Sequence, residues 1–107
     1  MNIEKLMLEY SPSIKVLEIK DFREVDYHEK ECEVIFKIHA MQFLIVLRLN
    51  ARCGEYYIKL LNWTTALGWR EITEIKYEKY TTSKLESAKF DAYLSDFVHL
   101  LKVAINF

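Results

Sequence analysis

Apolar and polar residues alternate most regularly over residues 32–50. Cys32, Val34, Phe36 and Ile38 take one side of an extended chain against Glu33, Ile35, Lys37 and His39. Phe43, Ile45, Leu47 and Leu49 repeat the pattern beyond Ala40, Met41 and Gln42. Period two is the strand period, so residues 32–39 and 43–50 are expected to form a strand pair at the heart of the core. One buried helix over 35–49 is the rival, because Ala, Met, Gln and Leu favour helix, and a single long bent strand is a third arrangement. The β-branched Val34, Ile35, Ile38, Ile45 and Val46 favour strands, since they lose rotamer freedom in a helix.

The rest of the chain reads as cover for this pair. Asn2 can cap a two-turn helix in which Ile3, Leu6, Met7 and Tyr10 share a face before Ser11 and Pro12 end it. A helix that short is marginal alone, so its stripe is expected to close one end of the core. Residues 14–22 suit a strand whose apolar parity changes between Val16 and Leu17, the mark of a bulge or of burial on both sides. The charged run 23–31 is expected at a hairpin tip, with Asp26 as turn former, the strand continuing at most through Val25 and Tyr27, and its acids facing water. Gly54 marks a turn over 51–55, and residues 56–63 form the next strand, with Tyr56, Ile58 and Leu60 opposed to Tyr57, Lys59, Leu61 and Trp63. Residues 62–68 connect to 69–80, where helical and strand spacings compete and the alternating Glu and Lys of an edge strand decide for strand. A capping box of Ser83 and Glu86 opens the last helix, of about twenty residues. Its stripe includes Leu85, Phe90, Leu94, Phe97, Leu101 and Ala104.

The expected architecture is therefore one α+β domain over residues 1–107. It comprises an antiparallel meander sheet of four or five strands, a short N-terminal helix, and a long C-terminal helix packed on one face. Leu44, Val46, Leu61 and Trp63 make the opposite face apolar as well. One helix cannot cover both faces, so homodimerisation or a partner protein follows.

Composition narrows the partners. With 107 residues, 51% hydrophobic and 29% charged, the chain fits one self-sufficient domain, and two Gly and one Pro leave little material for long loops. The net charge of -1 gives no global attraction to nucleic acid or anionic membrane. Residues 1–33 carry nine acids against five bases, and the excess lies in the segment 21–33. Lys37, His39, Gln42 and Arg48 interrupt the longest apolar run before it could span a bilayer, and no secretory leader pattern opens the chain. Cys32 and Cys53, one in a strand and one in a turn, read as free thiols. The expected compartment is the cytoplasm.

No catalytic, metal or cofactor signature rises above background. His28 and Cys32 lie four apart, which in an extended chain separates their side chains by about 13 Å, too far to share a zinc ion. Only Gly54 and Gly68 are present, which excludes glycine-rich phosphate loops. Cys53, after Arg52 in a turn, is the one thiol placed for reactivity, but no base can be set beside it from sequence. His39 and His99 read as a strand-end and a helix-surface histidine.

Tyr57, Lys59, Trp63, Trp69 and Arg70 form an aromatic and basic group that suits either stacked bases or a protein interface. Glu55, Glu71, Glu74 and Glu78 cancel the local positive charge, which favours protein. Asp21, Glu24 and Asp26 offer an electrostatic contact to a basic partner. The expectation is a small non-enzymatic module that binds another protein as inhibitor, adaptor or chaperone-like protein. Its size and its Lys- and Ile-rich composition suit a viral or mobile-element product. A single-strand nucleic-acid binder and a cysteine-dependent enzyme are the alternatives.

Overall fold

A computed structural model describes residues 3–50, 52, 54–77 and 89–107, with side chains at all of these except 22, 77 and 89–94. Helix α1 (Ile3–Tyr10) leads into five strands, β1 (Ile14–Asp26), β2 (Glu29–Ile38), β3 (Met41–Asn50), β4 (Glu55–Thr64) and β5 (Gly68–Tyr77), followed by helix α2 (Lys89–Ile105). The strands form one antiparallel sheet in the order β1-β2-β3-β4-β5, a meander with no crossover. The strand assignments for 32–50 and for 69–77 agree with the period-two reading, so the buried-helix alternative is excluded. The capping box at Ser83 and Glu86, and Leu85, lie outside the described residues. So do Cys53, Glu78 and Tyr80.

Hairpin register follows from the turns. Between β2 and β3 every residue pairs without interruption, from Glu29 with Asn50 to Ile38 with Met41. His39 supplies the left-handed residue of that two-residue turn, with φ of 55°, and His28 does the same between β1 and β2, with φ of 66°. Histidine is among the residue types that tolerate this region better than most, so these turns form without Asn-Gly. Asp26 Oδ1 accepts a hydrogen bond from Tyr27 N at 2.7 Å at the second turn.

Two expectations about the charged segment are corrected. The hairpin tip is only Tyr27–His28, β1 runs to Asp26, and β2 starts at Glu29 rather than at residue 32. Its acids do not all face water, because Glu31 is only 8% exposed. Cross-strand pairing explains both, since Arg23 and Lys20 on β1 stand against Glu31 and Glu33 on β2 and neutralise carboxylates that would otherwise repel within the sheet. Strand β4 also runs one residue further than expected, to Thr64, and β5 begins earlier, at Gly68. The parity change at Val16 and Leu17 is a bulge, and two further irregularities follow along β1. Bulges and charge on an edge strand disfavour unwanted strand addition.

The core lies on one face of the sheet. Val34, Phe36 and Ile38 from β2, Phe43, Ile45 and Leu47 from β3, and Tyr56, Ile58 and Leu60 from β4 are buried together with Met7 of α1 and Phe97, Leu100, Leu101 and Ala104 of α2. Ile3 of α1 and Phe97 of α2 wall a small apolar cavity with Cys32, Val34, Ile45, Leu47 and Ile58. The cross-strand pair Phe36–Phe43 stacks with ring centroids 5.6 Å apart, and Phe107 meets Phe43 edge-on at 5.9 Å. Tyr56 Oη donates to Asp96 Oδ2 at 3.1 Å, a polar tie between β4 and α2 at the rim of the core. Tyr10, the last residue of the expected α1 stripe, is exposed, with its ring 5.9 Å from Lys102 Nζ.

Full burial of Phe36 sets an expected cost. Phe36→Ala lowers the unfolding free energy by about 3–5 kcal/mol, whereas Leu17→Ala, at a bulge residue 42% exposed, changes it by less than about 1 kcal/mol. Urea unfolding of both variants checks the contrast.

Candidate functional site

The alternate residues of β2, β3 and β4 point to the second face of the sheet, and they are half-buried except for the buried Glu31 and the exposed Trp63. Register places Ile35 beside Leu44 and Leu44 beside Leu61, an apolar row across three strands. Toward the β4–β5 turn, Lys37 pairs with Gln42 and Trp63 pairs with Trp69. In the other direction come Glu33, Val46 and Lys59, then Glu31, Arg48 and Tyr57. This face is therefore apolar at one end and ionic at the other, a gradient along the strands invisible to any linear motif.

The apolar end is built by the β4–β5 turn. Thr64 Oγ1 accepts from Leu67 N at 3.1 Å and donates to Gly68 O at 3.2 Å, closing the loop. Gly68 sits at φ of 70°, and the Trp63 ring covers it, 3.6 Å from where a Cβ would stand. With its six-membered ring held there, Trp63 meets Trp69 edge-on, centroids 5.5 Å apart and planes at 74°, a favoured aromatic geometry. Trp63 is nevertheless 48% exposed and the neighbouring Leu67 is 72% exposed. Neither tryptophan belongs to the buried core cluster.

The ionic end is internally paired. Arg48 donates to Glu31 Oε2 through Nε at 3.0 Å and Nη2 at 2.8 Å, and its Nη1 lies 3.7 Å from Glu29. Arg23 reaches Glu33 at 3.4 Å and Glu31 at 3.8 Å. Lys59 lies 3.3 Å from Glu71 and 3.7 Å from Glu74, with its ammonium 4.7 Å from the centre of the Tyr57 ring. Burial disfavours charge on Glu31, but hydrogen bonds from Glu33 and Arg48 and the charges of Arg48 and Arg23 outweigh it and hold this carboxyl below the ordinary value of 4.5. Burial, together with the hydrogen bond and charge of Glu31, pushes Glu33 above 4.5 against the pull of Lys20 and Arg23.

A groove of about 290 Å³ crosses this end, lined by Glu29, Arg48, Asn50, Glu55, Tyr57, Lys59, Glu74 and Lys76 among others. Its carboxylates match its cations, so it holds no net charge to attract a phosphate or other anion.

The residues singled out from sequence divide between places. Tyr57, Lys59, Trp63 and Trp69 share the second face. Arg70 pairs with Asn62 and takes the opposite parity, away from that group. Asp21, Glu24 and Asp26 lie on the β1 edge and are exposed, with Glu24 opposite Lys30 and Asp26 opposite Glu29. The acidic edge and the aromatic end are thus separate surfaces. Sequence reading missed the Glu31–Arg48 pair, which lies 17 residues apart; the signal was available only once the β2–β3 register was fixed. Comparison with family models, curated proteins and solved structures finds no match. Among the described residues no group of three His, Cys, Asp or Glu side chains is arranged to hold a metal ion, and no helix is long and apolar enough to cross a membrane.

Cys32 shows what the core does to a thiol. Burial first, then the charge of Asp21, push it up to about 12, far from nucleophilic range. In a Cys53→Ala background Cys32 is expected to react with a thiol-labelling reagent at pH 8 only on unfolding, so rapid labelling of the native protein would contradict this placement.

The two glutamates carry opposite signs for stability. Glu33, raised when folded, adds stability that is full below the unfolded value and is lost as pH rises through its folded value. Glu31, lowered when folded, adds stability that is full above 4.5 and is lost as pH falls through its folded value. Glu33→Gln is therefore expected to keep or raise stability at pH 7. Glu31→Gln lowers stability at pH 7 by about 1–3 kcal/mol and flattens the acid loss below 4.5. Urea unfolding at pH 7, 5 and 3 measures both, and an unchanged acid limb in Glu31→Gln would remove the assignment.

Proposed function

We propose that this chain is a non-enzymatic protein-binding module acting through the second sheet face, which α1 and α2 leave open by packing on the other side. The observation that carries the reading is the half-exposed Trp63, set edge-on against Trp69 at the apolar end of a face whose Arg48 and Lys59 are already paired. Tryptophan, tyrosine and arginine dominate binding energy in protein interfaces, and such surfaces need no net charge. Tyr57, Lys59, Trp63 and Trp69 are the contact residues. Arg70 is set apart from them, and Asp21, Glu24 and Asp26 would steer a basic partner toward the other edge. Surface occupation of this kind suits an inhibitor, an adaptor or a chaperone-like protein. The unpaired Cys32 fits a reducing compartment such as the cytoplasm.

The nucleic-acid reading draws on the same aromatics, but Lys59 on their strand and Arg48 on the strand beside it are each held by two carboxylates. Phosphate binding would have to break those pairs, which makes protein the better occupant.

A photo-reactive amino acid in place of Trp63 is expected to form covalent adducts with protein, whether with itself or with another chain, in a lysate of the source cells. The same label at His99, exposed on α2, serves as control. Equal adduct yields at the two positions would remove the open face as the contact surface.

A further inference from the structure

We propose that the open sheet face closes against a second copy of this chain, about a two-fold axis that lies in the interface and runs along β3. This rests on the reading of that face as a protein contact surface and names its occupant.

The register of the sheet carries the argument. A two-fold along β3 preserves each cross-strand row while exchanging β1 with β5 and β2 with β4. Leu44 and Val46 then meet their own counterparts on the axis, and Ile35 meets Leu61 of the second copy, apolar on apolar. In the adjacent row Glu33 faces Lys59 of the second copy and Lys20 faces its Glu74, so acid meets base at both positions. Continuing the strand alternation one step past the Phe43–Asn62 pair sets Lys37 against Trp63 of the second copy and Lys15 against its Trp69, each a cation opposite an aromatic ring.

Of the facings that oppose like charges, Glu18 with Glu71 and Arg23 with Lys76 fall at the sheet edges, where salt and water screen them, and the third sets Arg48 against its own counterpart. Arg48, on the axis, is tied to Glu31 and Glu29 of its own chain. A two-fold running across the strands would instead lay the tryptophan end on the ion pairs. That axis loses the apolar match.

The area is sufficient. Five strands about 4.8 Å apart and some 30 Å long present roughly 700 Å², close to the ~800 Å² that a standard interface takes from each partner. Face-to-face sheets cross at about 30°, so each copy lies about 15° off the axis. A face that is overall neutral also sets up no net repulsion against its own copy.

Sedimentation over a concentration series is expected to give twice the mass of one chain. Glu33→Lys and Lys59→Glu each weaken the dimer by about tenfold or more. An equimolar mixture of the two variants recovers wild-type association, because the mixed pair restores both Glu–Lys facings. A variant that merely misfolds is not rescued by mixing. Trp63→Ala, half-exposed in the single chain, weakens association while keeping the native circular dichroism. A wild-type chain that keeps the mass of one copy at every concentration overturns the proposal, and so does a dimer that the charge variants leave intact or that mixing fails to restore. A single-copy protein whose label at position 63 still captures a foreign chain loses only the second copy as occupant and keeps the contact surface. Loss of adducts at position 63 as well removes both.

Discussion

The uninterrupted register between β2 and β3 decides which side chains share a face. From Glu29–Asn50 to Ile38–Met41 no residue is skipped, so one parity delivers Val34, Phe36, Phe43 and Ile45 to the core and the other delivers Glu31, Glu33, Ile35, Leu44 and Arg48 to the second face. A slip of one residue in either strand would bury Glu33 opposite Ile45 and turn Phe36 outward, so the hydrophobic effect penalises every alternative pairing. Two-residue turns at His28 and His39 reinforce the same choice locally. Cover by helix, the ionic cluster and the aromatic end all take their positions from this one alignment.

Ion pairing does different work on the two sides of the chain. Around Glu31 and Arg48 it lets a charged stretch enter the ladder of a sheet, where two neighbouring carboxylates, Glu31 and Glu33, would otherwise repel. The opposite directions in which those two carboxyls move express one fact, that burial and the proximity of the two carboxylates disfavour a second full negative charge against the pull of Lys20 and Arg23. On the β4 side of the same end, Lys59 is shared between Glu71 and Glu74, which neutralises a charge two residues along the strand from Leu61 and four from Trp63 on the way to the tryptophans. The second face therefore combines an apolar patch with a belt in which acids and bases alternate and pair within the chain.

Strand alternation made most of the sheet legible in the sequence. Period two alone places Val34, Phe36 and Ile45 in the core and sets Ile58 and Leu60 on one side of β4, and the parity change after Val16 admits the bulge as one of two explanations. The segment 23–31 was misjudged because charge was read as exposure, whereas Arg23 and Arg48 neutralise its glutamates from neighbouring strands. The site was half legible for a related reason. Tyr57, Lys59 and Trp63 lie at even spacings on one strand and so share a face by local geometry, and the tight β4–β5 turn brings Trp69 opposite Trp63. Arg70 is adjacent to Trp69 in sequence and for that very reason points the other way. The pairing of Glu31 with Arg48 is a property of register, which no local pattern reveals.

Layering supplies the last step. Among the described residues, the buried side chains of α1 and α2 join the core on one face of the sheet, and the alternate face meets water unless a further layer covers it. Purely polar alternation would have made that exposure harmless, as in many antiparallel sheets. Here Ile35, Leu44, Val46 and Leu61 occupy the middle of the exposed face, on its central strands, while the bulged and charged β1 guards an edge. The protection of the edge and the apolar centre of the face point in opposite directions: strand addition at β1 is disfavoured, and approach of a flat surface onto β3 is favoured. The fold thus constrains the geometry of association, face to face over the central strands, before the chemistry of any partner is considered.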